Sequence, residues 1–141
     1  AEPIRVWNLV EAGWAALKWH PAEAAARPGA GLTPAIIEEL GRLVEPIKNH
    51  GGFRKLPIFI DGEDGIIRLG VGPGDIPGRM TTLFTPDTLA ALTPEEVYKE
   101  FETIHPFLDG NGRVGKIIFN WLKGTLAEPV MPPNFWGVSN P

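Results

Sequence analysis

The chain has 141 residues, a 43% apolar content and a net charge of −4, which suits one globular domain with a real core. It contains no cysteine, so disulfides and thiolate metal sites are excluded. No basic stripe of the kind that binds nucleic acid is present, and no apolar run reaches the roughly 18 residues a membrane span needs. No basic segment leads into an apolar stretch at the N-terminus, so a cytoplasmic protein is the expectation.

In chain order, Trp7, Val10, Trp14 and Leu17 recur at three and four residues and predict an amphipathic helix over 4–19. Thr33-Pro34, Thr85-Pro86 and Thr93-Pro94 each place a capping hydroxyl before a proline suited to the first helical position. Glu96 completes a capping box with Thr93. The helix from 34 carries Ile36, Leu40, Leu43, Val44 and Ile47, with Pro46 set to kink or end it. Two short apolar runs, 57–60 and 65–69, flank Asp61-Gly62-Glu63-Asp64 and predict a β-hairpin. Four glycines and two prolines between Gly70 and Arg79 read as loop. Val97, Phe101 and Ile104 mark one face of a helix from 94, which Pro106 should stop at His105. A further helix from about Gly112 is apolar on most sides through Val114, Ile117, Ile118, Phe119, Trp121 and Leu122, and belongs at the centre of the core. The reading is one mainly α domain over 1–141, with a helical core over about 4–123 and an irregular, proline-rich tail over 124–141.

The chemistry concentrates in His105-Pro106-Phe107-Leu108-Asp109-Gly110-Asn111-Gly112-Arg113-Val114-Gly115-Lys116. A helix that starts just after Asp109-Gly110-Asn111 offers unpartnered amides at the positive end of its dipole. Glycines at 110 and 112 let a phosphate approach the backbone, so Gly110, Asn111 and Gly112 form a candidate anion hole. Arg113 and Lys116, three apart, are expected to project on one face and neutralise phosphate oxygens. Asp109 is a hard oxygen ligand suited to a Mg²⁺ that also binds substrate phosphates. His105, an imidazole titrating near neutrality, can take a proton from an incoming hydroxyl, and Phe107 should turn inward and pin the loop. A calcium loop also contains Asp-Gly-Asn-Gly, but its alternating acidic ligands and terminal glutamate are missing here.

This run closely resembles the signature of the Fic (Fido) family, His-x-Phe-x-Asp/Glu-Gly-Asn-Gly-Arg-x-x-Arg, and looser resemblance extends through the flanking helices and 65–80. The resemblance implies a Fic-like helical bundle with a small β-hairpin flap. It implies transfer of AMP from ATP to a Ser, Thr or Tyr hydroxyl of a target protein, with pyrophosphate leaving. His105 would then be the catalytic base, and Asp109 would hold Mg²⁺. Gly110, Asn111, Gly112, Arg113 and Lys116 would bind the nucleotide, Arg113 also stabilising charge in the reaction. Residues 66–80 lie where the family's target-pairing flap is expected, and Arg68 and Arg79 are candidate contacts for target or phosphate.

Three departures stand out. The family's second arginine is Lys116, which keeps the charge and loses the planar fork. Many relatives carry a self-inhibitory Ser/Thr-x-x-x-Glu helix, and no Ser or Thr here has Glu four residues on. Either a small separate antitoxin supplies that helix, making this the toxin half of a pair, or regulation is absent or different. The tail after Pro129 is proline-rich where many relatives continue into another helix. Gly110 is retained, whereas the phosphorylating death-on-curing branch replaces it, which favours AMP transfer. The alternatives are transfer of phosphate or UMP, or a nucleotide- or partner-binding domain with little turnover. His20 and His50 follow helix ends without metal-ligand spacing and read as structural or solvent-exposed.

Overall fold

A computed structural model describes residues 31–61, 65–126 and 128–133. The helix expected over 4–19, His20, the hairpin turn at 62–64 and the tail from 134 lie outside the described residues. The described elements run α1 (Pro34–Val44), β1 (Phe59–Asp61), β2 (Ile67–Leu69), a short 3₁₀ turn (Pro73–Asp75), α2 (Ile76–Leu83), α3 (Pro86–Ala91), α4 (Pro94–Ile104) and α5 (Asn111–Lys123). The fold is mainly helical with one two-stranded antiparallel sheet, as expected.

The threonine caps act as their sequence context demands. Thr33, Thr85 and Thr93 accept hydrogen bonds from the amides of Ile36, Thr88 and Glu96, and Glu96 returns a bond to Thr93 N. α1 stops at Val44, with Glu45 as its cap, because the residue before Pro46 cannot continue a helix without clashing with the proline ring. Helix α5 is buried along nearly its whole length, from Asn111 through Trp121, and ends in a left-handed Gly124 whose amide returns to Asn120 O and Trp121 O. Around it lie Ile37, Leu40, Met80, Phe101 and Ile104, each no more than 1% exposed.

The hairpin pairs Phe59 with Leu69, Ile60 with Arg68 and Asp61 with Ile67. Directly opposed residues share a face, so Phe59 and Leu69 stand together, and both are largely exposed. Ile60 is buried.

One element corrects the sequence reading. The stretch Gly70 to Arg79 reads as loop from its glycines and prolines, but its last four residues open helix α2 (Ile76–Leu83). Pro77 sits in the first turn, where no amide is needed, and Ile76, Met80 and Leu83 form a buried stripe at helical spacing. The stretch 66–80 expected as a flap is therefore split between strand β2, a 3₁₀ turn and the start of α2. Tail residues 128–133 carry no helix or strand, and Asn120 anchors them by accepting from Val130 N and donating to Val130 O.

Candidate active site

The loop between α4 and α5 is built from its ends inward. Helix α4 ends at Ile104, and its cap, His105, turns into the left-handed region with φ 51°, the described non-glycine residue with positive φ. Proline at 106 makes right-handed helix unfavourable for His105, although the usual escape is an extended backbone. A left-handed non-glycine residue needs outside support. Support comes from Arg54, whose Nε donates to His105 O at 2.7 Å and whose amide donates to Pro106 O at 2.8 Å.

Phe107 then drives inward, fully buried, with its ring 5.5 Å from that of Phe53. Its slot exists because residue 41 of α1 is glycine. A β-carbon there would come within 2.3 Å of the Phe107 ring. The buried Asn111 side chain closes the turn, accepting from Phe107 N at 2.9 Å and donating to Phe107 O at 2.8 Å. Asn111 thus fixes the turn that leads into α5 with its side chain.

Gly110 is left-handed at φ 78°, and a β-carbon on it would meet Val44 Cγ1 at 2.7 Å. It caps α5 without any side-chain hydrogen bond, unlike the threonine-capped α1, α3 and α4. No side chain caps the first-turn amides of α5, an arrangement able to receive an anion, and Gly112 within that turn adds no side chain to obstruct one.

Asp109 stands at the mouth. Its Oδ2 accepts from Lys48 Nζ at 2.9 Å, its Oδ1 accepts from Gly110 N at 2.7 Å, and Arg113 lies 3.8 Å away. The Lys48 bond chiefly, with the Gly110 amide and Arg113, holds the carboxyl below the usual carboxylate range against the opposing effect of burial. Asn49, itself 1% exposed, fixes the main chain by donating to Asp109 O and Gly41 O. Arg113 faces the same mouth, bound to Glu45 Oε1 at 2.8 Å and to Val44 O. Its Nε is buried without a hydrogen-bond partner among the described residues.

Asp109 fits the part of a Mg²⁺ ligand. It is ionised, its lysine partner is mostly exposed and free to swing aside, and one carboxylate suffices where phosphates complete the shell. No cluster of three His, Asp or Glu capable of holding a metal alone occurs among the described residues.

Two expectations change. His105 does not titrate near neutrality. Burial, aided by the Arg54 guanidinium and opposed by the Glu102 carbonyl, pushes its pKa down to about 4. The ring is thus neutral at physiological pH. Its Nδ1 lies 3.3 Å from Glu102 O, an acceptor only, which places the proton on Nδ1 and leaves the lone pair on Nε2. Lys116 does not project beside Arg113. It is 2% exposed and acts electrostatically on Glu102 of α4, whose Oε1 is buried without a hydrogen-bond partner among the described residues. Burial raises the Glu102 pKa to about 7, and Lys116 opposes that rise.

Arg54 and Glu45 were not singled out from the sequence. The other candidates are scattered. Arg79 pairs with Glu100, and His50 is exposed, its amide donating to Ile47 O and its carbonyl accepting from Arg42. Arg68 stands in β2, opposite the buried Ile60.

The family model described as Fic/DOC family matches residues 32–122, well over half the chain and the whole of the site. The chain belongs to the Fic/DOC family. No curated protein matches it. The match begins just before α1 and ends within α5, so the loop from His105 to Arg113, the hairpin and the helices that hold them all lie within the family region. Fic-family proteins transfer phosphate-containing groups, and this chain carries each residue of the signature from His105 to Arg113. No helix among the described residues is long and apolar enough to cross a membrane.

Proposed function

We propose that this chain is a protein adenylyltransferase that moves AMP from Mg²⁺-ATP to a Ser, Thr or Tyr hydroxyl of a target protein. The observation that carries the reading is His105. It is a neutral imidazole, protonated on Nδ1, with Nε2 available, set immediately before a glycine turn and an uncapped helix start. A pure binding module has no use for that base.

The steps assign one task to each group. First-turn amides of α5, with Gly110 and Gly112 leaving room, receive the phosphates. Arg113 adds a charge-assisted donor to them. Asp109 would hold Mg²⁺, which neutralises phosphate charge when bound. His105 Nε2 takes the hydroxyl proton as the target oxygen attacks the α-phosphorus. The bond from that phosphorus to the α,β-bridging oxygen breaks, pyrophosphate departs, and AMP remains esterified to the target. Positioning and charge stabilisation carry most of the rate.

Bound phosphates raise the pKa of His105 from its low resting value, which strengthens it as a base when substrate is present. The second reading, a Fic domain with little turnover, is favoured by one feature. Arg113 is already engaged by Glu45.

Intact-protein mass spectrometry of a lysate incubated with the protein and Mg²⁺-ATP tests the proposal. An AMP-sized gain on a target, absent with His105→Ala, is expected. A phosphate-sized gain, or an AMP gain that survives His105→Ala, contradicts it.

A further inference from the structure

Arg54 is a buried cation whose bonds span three segments. It is 2% exposed, and its four side-chain hydrogen bonds all go to main-chain carbonyls. Nε holds His105 O at 2.7 Å, and Nη2 holds Ile104 O at 3.2 Å. Nη1 holds Leu56 O at 2.8 Å, just before β1, and Nη2 also binds Val71 O, just after β2. Its own amide adds the bond to Pro106 O. One planar group therefore meets the end of α4, the chain entering the hairpin and the chain leaving it.

Desolvating a guanidinium is costly, and carbonyl dipoles repay that cost only when several converge. The converging set includes the last carbonyls of α4, which carry the negative end of the helix dipole. A residue needed only to fill space at this point would be apolar.

We infer that Arg54 is a positioning residue that locks His105 and both ends of the hairpin into one frame, so that a target segment engaging the hairpin meets the base in register. The inference rests on the transfer reading for its purpose, but the coupling itself is a property of the fold. Gly70 provides the reverse handle. It follows β2, bonds Ile58 O, and a β-carbon on it would lie 2.9 Å from Arg54 Nη2 and 3.0 Å from Ile58 Cγ1. Gly70→Ala therefore presses on the guanidinium from the hairpin side without touching the loop.

The test uses the full chain as Arg54→Lys and as Gly70→Ala. Lysine keeps the charge but cannot reach four carbonyls with a fixed fork. Long-range ¹H–¹⁵N spectra of the His105 ring, assigned through their loss in His105→Ala, report the base directly. Both variants are expected to shift the His105 ring resonances. Mg²⁺-ATP affinity should stay within about twofold of the parent, while transfer falls about 100-fold in Arg54→Lys, the scale of a base displaced by about an ångström. A purely structural arginine would leave the ring resonances in place, and their constancy in folded Gly70→Ala overturns the coupling even if Arg54→Lys does not fold. If the parent protein transfers no AMP, the transfer reading fails alone and the ring spectra still decide the coupling.

Discussion

The loop from His105 to Arg113 and the hairpin are held in opposite ways. From His105 to Arg113 the loop is fastened by buried polar bonds, with Arg54 on His105 and Pro106, Asn111 on Phe107, Asn49 on Asp109 and Glu45 on Arg113. The hairpin has two strands of three residues and turns Phe59, Ile67 and Leu69 outward. Two-stranded ribbons are marginal by themselves. Under the proposed function, a loop that holds phosphate oxygens needs fixed donors, whereas a ribbon that receives an extended segment needs open surface and an adaptable position. In this chain the precise region is the one that costs polar burial.

The comparison breaks hardest at Asn111. Asn111→Ala removes two buried bonds and leaves the Phe107 amide and carbonyl unsatisfied, so thermal or urea unfolding should show a loss of about 2–4 kcal/mol together with loss of ATP binding. A near-neutral result would mean that the loop is not held by its polar bonds.

The buried pair behind the loop gives the next effect, and it depends on pH. The folded-state pKa of Glu102 is raised, so its favourable contribution is full below its unfolded value near 4.5 and is lost as pH rises through about 7. Lys116→Met removes the cation that opposes this loss. We expect a destabilisation of about 3 kcal/mol at pH 8 that shrinks toward pH 5, where Glu102 is protonated. Unfolding curves at the two pH values check this, and a pH-independent effect would show that Lys116 does not act through Glu102.

Glu45→Gln sharpens the picture of the mouth. It removes a carboxylate that competes with phosphate for Arg113 while keeping a hydrogen-bonding group. For this partly exposed pair, calorimetry should give ATP binding about fivefold tighter at low salt, the gain fading as ionic strength rises.

The smallest effect belongs to the hairpin. The double substitution Phe59→Ser and Leu69→Ser should change stability by no more than about 0.5 kcal/mol, because both side chains are already in water. Transfer to a protein target should fall, while ATP binding should not.

How much of this was legible depended on range. The Thr-Pro starts, the capping box, the hairpin and the inward Phe107 each rest on residues close together in sequence, and each is present. Helix α2 was hidden because Pro77 and Gly78 weigh against a helix by composition, although the stripe Ile76, Met80, Leu83 carried the signal. Lys116 could not be placed from its own helix, since the carboxyl it acts on, Glu102, lies on α4. Arg54 left no local trace at all. Its partners lie 2, 17, 50 and 51 residues away, and no periodicity announces a buried arginine. The low pKa of His105 has the same origin, burial and a distant guanidinium.

The central claim divides labour between a phosphate site at Asp109–Arg113 and a base at His105. Calorimetric titration of Mg²⁺-ATP into the parent and into His105→Ala, with transfer followed on the same samples, tests it most directly. The account predicts ATP affinities equal within about twofold and transfer reduced at least about 100-fold, the usual scale for a lost general base. Transfer that persists without His105, or a parent protein that binds no ATP, would contradict it.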